Sequence, residues 1–134
     1  MIRQTRQRLA IEAFLRAEDR PLSPHEIHRG AQRLVPSMGL RTVYRQLKDM
    51  SAEGLVVGVD YPGQPLRYER TGAGHRAHFI CHGCAKVYAW EAEVPDVEVR
   101  APVGYMMTGQ ETVFYGYCPT CVASSRLAAA DGGA

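Results

Sequence analysis

Two short stretches, Cys81-His82-Gly83-Cys84 and Cys118-Pro119-Thr120-Cys121, decide how the second half of the chain folds. Together they hold all 4 cysteines of the 134 residues. In a reducing compartment, two Cys-x-x-Cys pairs supply the four thiolates that a closed tetrahedral zinc site uses. A pair of redox-active dithiols and four buried thiols without a ligand are the alternatives. The spacing therefore predicts a structural zinc ion that closes a small subdomain.

The length of the chain explains why its second half needs such a staple. With 46% hydrophobic and 22% charged residues the composition is globular, but half of a chain this long buries too little apolar surface to be more than marginally stable. Structural zinc contributes on the order of 10 kcal/mol to the folding of a small unit. Runs of β-branched and aromatic residues predict a small antiparallel sheet over residues 77–80, 87–90 and 112–117.

The first half shows three helical patterns before any strand. Apolar residues recur at helical spacing over residues 5–17, and a capping box, Ser23-Pro24-His25-Glu26, begins a second helix. A short turn at residues 36–39 leads to a third helix, which ends at Gly54. The predicted buried face of the second helix consists of Ile27, Ala31 and Leu34.

A hairpin-like pattern follows the third helix directly. Apolar residues alternate over residues 55–59, a turn rich in proline and glycine spans residues 61–65, and a second short run follows. The predicted order of elements, two helices, a short turn and an exposed third helix, is that of a helix-turn-helix. The hairpin that follows makes the module a winged helix. We expect Arg67 or Arg70 of the hairpin to lie against the phosphate backbone.

The basic residues are concentrated in the first third of the chain. Residues 1–48 hold ten Lys or Arg against four Asp or Glu, whereas residues 49–134 hold six against ten. This imbalance suits a polyanion such as DNA, and a solvated arginine-rich surface accounts for it equally well. The third helix favours DNA, because cations and a phenol occupy its outward side, where phosphates and base edges accept both. The predicted DNA contacts are Arg6, Arg8, Arg41, Thr42, Tyr44, Arg45 and Lys48.

In combination and order, these motifs resemble the ferric uptake regulator family of bacterial metal-sensing repressors. The resemblance implies an α+β fold, with an N-terminal winged-helix DNA-binding domain and a small zinc-stapled α/β dimerisation domain. We expect the first domain over residues 1–70, a hinge over 71–74, the second domain over 75–124 and a disordered tail over 125–134. The stretches that carry the resemblance are residues 3–8, Thr42-Val43-Tyr44-Arg45, Gly54-Leu55-Val56, residues 78–87 and residues 115–121.

The resemblance also implies a second metal site that controls DNA affinity. Glu69 and His78 match its ligands, but Pro21 and Arg76 stand where two histidine ligands are usual. A rearranged site with nitrogen and oxygen ligands would accept zinc, manganese or ferrous iron without distinguishing them. In the other interpretation the site is lost and its histidines are structural. The candidate ligands of this regulatory metal are Glu69, His75, His78 and Asp96.

These expectations combine into one main hypothesis with three rivals. The chain is expected to be a homodimeric, metal-responsive transcriptional repressor of metal homeostasis genes, which binds a palindromic double-stranded DNA operator with divalent metal as corepressor. A family member whose DNA binding needs no second metal is the first rival, and a Cys-x-x-Cys thiol oxidoreductase is the rival from another class. The third rival is a zinc-stapled protein-interaction module without DNA contacts, which leaves the exposed side of the third helix unexplained. We expect no catalytic residue and no small-molecule substrate.

The expected cellular location follows from the absence of membrane-spanning and export signals in the sequence. No apolar run approaches the ~20 residues of a bilayer span, and the N-terminus is charged without an apolar stretch behind it. The sequence therefore predicts a cytoplasmic protein without membrane contact.

Overall fold

The computed structural model describes residues 5–72, 77–90, 100–108 and 110–124. The chain forms two compact units, Met1–Gly74 and His75–Ala134. The expected end of the hinge at residues 73–74 and the expected tail over 125–134 lie outside the described residues. No helix of the described part is long and apolar enough to cross a bilayer.

Three helices and a two-stranded hairpin make up the first unit, in the order that the sequence predicted. Strands β1 and β2 pair antiparallel, with Val56 opposite Arg70. Leu22, which precedes α2, adds one antiparallel bridge to Tyr68, with N···O distances of 2.8 and 2.9 Å in the two directions. The elements are α1 (Arg6–Glu18), α2 (Pro24–Ala31), α3 (Leu40–Ala52), β1 (Val56–Val59) and β2 (Arg67–Arg70).

The predicted capping box at the start of α2 is confirmed. The backbone N–H of Glu26 donates to Ser23 Oγ at 3.2 Å, and the N–H of Ser23 donates to Glu26 Oε1 at 3.0 Å. Pro24 occupies the first turn, where its missing N–H leaves no hydrogen bond unmade. These local interactions place the beginning of α2 without help from the rest of the fold.

A single apolar core joins the three helices and the hairpin. Leu34, which the sequence placed in this core, is 60% exposed, because α2 ends at Ala31 and helical spacing stops there. Val35 packs against the core instead. The buried members include Ile11, Leu15, Leu22, Ile27, Val43, Leu47, Met50 and Val56.

In its described residues, the second unit forms a three-stranded sheet followed by a short helix. The strand order is β4-β3-β5, and β3 pairs antiparallel with β4 but parallel with β5. The α+β class is thereby confirmed, whereas the expectation of a wholly antiparallel sheet is wrong. The elements are β3 (Ala77–Cys81), β4 (Val87–Trp90), β5 (Val113–Gly116) and α4 (Pro119–Ser124).

The cysteines explain why β3 and β5 run in the same direction. Strand β3 ends at Cys81, and β5 ends two residues before Cys118. Both cysteine pairs reach the same end of the sheet only if both strands lead towards that end. The parallel pairing therefore follows from the need to bring the four sulfur atoms together.

Helices α1 and α2 approach each other closely at Gly30, and this contact generates a stability prediction. A Cβ atom at residue 30 would lie 2.2 Å from Cδ1 of Phe14, and all three nearest atoms belong to that ring. We expect Gly30→Ala to lower the free energy of unfolding by about 1–3 kcal/mol, the range for overpacking a core, as measured by urea unfolding.

Gly58→Ala is the matched control for this substitution. A Cβ atom at residue 58 meets its nearest neighbour at 3.5 Å, which is ordinary van der Waals contact. Equal stability of the two variants would show that Phe14 moves aside freely and that the close approach does not constrain the helices.

Candidate metal centre and nucleic-acid interface

The four cysteines of the second unit come together in one cluster. The four sulfur atoms all lie within 4.8 Å of one another, and Cys84 Sγ is 3.9 Å from Cys118 Sγ. All four cysteines are free. A zinc–sulfur bond of about 2.3 Å in a tetrahedron requires sulfur–sulfur separations near 3.8 Å. The spacing of the cluster therefore fits a four-coordinate zinc ion.

Each cysteine pair sits on a different kind of turn. The first pair occupies the hairpin between β3 and β4, where the N–H of Ala85 donates to the carbonyl of Cys81 at 2.9 Å and Ala85 adopts a left-handed φ of 63°. The second pair lies at the start of α4, where the N–H of Val122 donates to the carbonyl of Cys118 at 2.9 Å. The two turns face the same point.

Backbone donors make two of the sulfur atoms easier to ionise. Burial opposes the charge on Cys81, but the N–H groups of Cys118 and Cys84, at 3.3 and 3.5 Å from Sγ, together with that of Gly83, lower its pKa to about 6. The N–H of Cys121 and the hydroxyl of Tyr88 lower the pKa of Cys118. The lowered pKa values favour the thiolate forms of Cys81 and Cys118, and thiolates are the form of cysteine that binds a divalent cation.

Cys121 and the neighbouring Tyr88 hold their protons more tightly. Hydrogen bonds to the sulfur atoms of Cys81 and Cys118 raise the pKa of Cys121 to about 12. Burial and the hydrogen bond to Cys118 raise the pKa of Tyr88, which therefore stays a neutral donor. Sequence reasoning missed Tyr88, because no local spacing links residue 88 to residue 118.

The exposed side of α3 carries the predicted DNA contacts. Arg41, Arg45 and Lys48 are exposed, and Tyr44 is 48% exposed, whereas Thr42 is half-buried. The opposite side of the helix is fully buried through Val43, Leu47 and Met50. The core thus fixes the rotation of α3 about its axis, and the cations and the phenol point outward together.

Two arginines that the sequence assigned to phosphates are instead buried in ion pairs. Arg8 is 5% exposed, and its guanidinium binds Glu53 and lies 3.4 Å from Glu12 Oε1. Arg67 is 4% exposed and pairs with Glu26. Placed in this way, neither guanidinium is available to a phosphate, whereas Arg6 and Arg70 are exposed. Glu53 lies 45 residues from Arg8, which is why sequence spacing does not reveal the pair.

The candidate ligands of the regulatory metal fall in different parts of the chain. Glu69 lies half-buried on β2 of the first unit, and His78 lies half-buried on β3 of the second. His75 and Asp96 lie outside the described residues. Within the described ranges, no group of three or more metal-ligating side chains other than the four cysteines comes together.

Gly83 lies against the sulfur cluster, and a second prediction follows. A Cβ atom at residue 83 would lie 2.7 Å from Cys121 Sγ and 3.0 Å from its Cβ. A sulfur held by a metal cannot move aside, so we expect Gly83→Ala to weaken zinc binding by about 10- to 100-fold, the usual effect of disturbing the surroundings of a metal ligand. Competition with a chromophoric chelator measures the change. Gly58→Ala serves as the control, and unchanged zinc affinity in Gly83→Ala would contradict the cluster geometry.

Comparison with known sequences agrees with the resemblance noted above. Residues 1–107 match the family model described as the ferric uptake regulator family. The zinc uptake regulation protein of Mycobacterium tuberculosis is 32% identical over 123 residues, which cover 90% of this chain and 95% of that protein. The transcriptional regulator FurA of Mycobacterium bovis is 31% identical over 125 residues, covering 90% of this chain and 83% of that protein.

Solved structures with lower identity share the fold. A zinc-bound manganese uptake regulator matches with a TM-score of 0.69 at 21% identity, over 87% of this chain and 91% of that one. The ferric uptake regulator of Helicobacter pylori matches with a TM-score of 0.63 at 19% identity, over 90% and 82%.

These matches confirm the predicted class of protein. The family consists of metal-responsive transcriptional regulators and not of enzymes, which excludes the thiol oxidoreductase. The cluster of four cysteines is consistent with the structural zinc site predicted from the sequence. On the family model and on the two mycobacterial relatives, the chain belongs to the ferric uptake regulator family.

Proposed function

We propose that this chain is a homodimeric repressor that reads DNA with α3, holds structural zinc on its four cysteines and uses a second divalent metal as corepressor. The observation that carries the proposal is the exposed side of α3, where three cations and Tyr44 stand on a helix whose other side is locked into the core. A rigid helix with this chemistry fits the major groove of DNA.

The residues of α3 divide between bases and backbone. Arg41 and Arg45 carry the planar fork that binds the O6 and N7 atoms of guanine, and Tyr44 offers a hydroxyl and a flat ring to a neighbouring base. Thr42 supplies a hydroxyl near the beginning of the helix. Lys48 and Arg6 are exposed point charges that suit phosphates.

Zinc on the cysteines has a structural role in this proposal. Four thiolates complete a tetrahedral shell and leave no position open for water or substrate, which is the arrangement of structural rather than catalytic zinc. The ion would join the β3–β4 hairpin to the start of α4. Cys81, Cys84, Cys118 and Cys121 are its proposed ligands.

Exposed aromatic residues of the second unit support a dimer. Trp90 and Phe114 are each 42% exposed, and their rings stack with centroids 5.7 Å apart. Phe79 also stacks with Trp90, with ring centroids 4.9 Å apart. Apolar surface grouped in this way is typical of a protein interface. A two-fold dimer presents two copies of α3 to the two half-sites of a palindrome.

The corepressor role requires a metal that prefers the DNA-binding conformation of the dimer. Only such differential affinity shifts a conformational equilibrium. Glu69 and His78, with His75 and Asp96, are the proposed nitrogen and oxygen ligands, and zinc, manganese and ferrous iron all accept such a set. Some relatives are named as zinc regulators and others as iron regulators, so these names do not identify the metal that this chain would sense.

Substitutions on α3 test the assignment of bases and phosphates. We expect Tyr44→Ala to lose about 1–3 kcal/mol of binding on an operator selected from random duplex DNA, and less on unselected duplex, because a base contact contributes only to specific binding. Lys48→Ala should weaken binding to both DNAs and lower the salt slope by about one. Fluorescence anisotropy across a salt series measures both effects. Equal losses on the two DNAs for Tyr44→Ala would refute a base-reading role.

A metal titration of the zinc-loaded protein tests the corepressor. Adding zinc, manganese or ferrous iron in separate series should raise affinity for the selected operator by about 5- to 150-fold for the sensed ion, the usual range of allosteric coupling. Replacement of His78 by Ala should remove the increase and leave the zinc on the cysteines in place, as checked by metal analysis. Operator affinity that no ion changes would instead support the family member whose DNA binding needs no second metal.

A further inference from the structure

A second basic surface lies on α2, outside the set of predicted DNA contacts. His25 and Arg29 are exposed on the helix, and Arg33 is exposed in the turn that continues it. His25 and Arg29 are four positions apart, so they share one side of α2, and Arg33 follows in the turn after the helix ends at Ala31. The opposite side is buried through Pro24, Ile27, Gly30 and Ala31.

The single carboxylate of α2 does not reach this surface. Glu26 turns inward, where its carboxylate accepts hydrogen bonds from Arg20 Nη2 and from the backbone N–H of Ser23, each at 3.0 Å. It also accepts one from Arg67. Arg20 and Arg67 are themselves buried. Two buried guanidinium groups thus neutralise the only negative charge of α2, the half-buried carboxylate of Glu26.

The exposed side of α2 is therefore left with cations alone. Within the residues that the structure describes, the side chains of Arg29 and Arg33 have no hydrogen-bond or ion-pair partner. Two exposed guanidinium groups, one on α2 and one in the turn after it, produce a local positive potential that attracts a polyanion.

The packing of α2 on α3 indicates which polyanion this surface meets. The two helices are in contact, and they are joined by the turn at residues 32–39 in the order of a helix-turn-helix. In that arrangement the second helix enters the major groove and the first helix crosses the sugar–phosphate backbone beside it. Exposed cations on α2 then lie next to phosphates and not next to bases.

We propose that Arg29 and Arg33 bind backbone phosphates of duplex DNA beside the groove that α3 enters. This inference rests on the proposed DNA-binding function and extends it to a second helix. His25 lies at the other end of the same side of α2. The contacts are independent of sequence, so they contribute equally to binding of operator and of unselected DNA.

Helix electrostatics offers a competing explanation for one of these charges. Arg29 lies in the last turn of α2, where a cation interacts favourably with the helix dipole. In that case the arginines support the fold and do not touch DNA. The two explanations differ in their consequences for the salt dependence of DNA binding.

The test uses the full-length, zinc-loaded protein and a mixed-sequence DNA duplex. We expect the slope of log K against log salt to fall by about 0.9 per protomer in Arg29→Gln and in Arg33→Gln, and by about twice that in the double variant. The paired Lys variants should keep most of the slope, because they keep the charge. Arg16→Gln removes an exposed cation of α1 and should leave the slope unchanged.

Circular dichroism and thermal unfolding accompany each measurement. A double variant that loses thermal stability but keeps the wild-type slope would overturn the proposal in favour of the helix dipole. A wild-type protein that binds neither selected nor unselected duplex would overturn the proposed function as well. If Tyr44→Ala loses operator preference while the double variant keeps the wild-type slope, the proposed function stands and only the role of α2 is wrong.

Discussion

The convergence of four thiols at one end of a small sheet constrains everything else in the second unit. The four sulfur atoms lie within 4.8 Å of one another, and four thiolates at that distance would repel unless a cation lay among them. The hairpin after β3 and the start of α4 must meet at that point, and the parallel pairing of β3 with β5 follows. A unit this small has little apolar core of its own, so zinc binding supplies a large part of its folding free energy.

The first unit is held together by an apolar core and by ion pairs of buried arginines. Its helices bury a continuous apolar core, and at the edges of this core three buried arginines pair with carboxylates that stay partly exposed. Arg8 joins α1 to Glu53 at the end of α3, and Arg67 joins the hairpin to Glu26 of α2. Buried ion pairs add little net stability, since desolvation offsets their attraction. Their effect here is to fix how the elements sit against one another.

Because some arginines are buried in ion pairs and others are exposed, the net charge of the N-terminal third overstates its positive surface. A count of charges treats Arg8 and Arg20 as equal to Arg41 and Arg45, although the first two are neutralised inside the unit. The positive potential outside the molecule comes only from the exposed cations. Among the described residues of that third, they occupy α3, the exposed side of α2, the turn after α2, and α1 at Arg6 and Arg16. The surface available to DNA is therefore smaller than the sequence indicates, and it is distributed over more than one helix.

The amino-acid sequence by itself determined the features that depend on near neighbours. The zinc-type cysteine pairs, the capping box at Ser23 and the outward side of α3 all follow from spacings of two to four residues, and the family motifs are read in the same way. The tertiary structure decided the burial of Arg8, the exposure of Leu34 and the direction of β5. The burial of Arg8 and the direction of β5 depend on partners far along the chain, and the exposure of Leu34 depends on where α2 ends. Local periodicity carries no information about which distant carboxylate will meet a guanidinium, or from which end a strand will approach a metal.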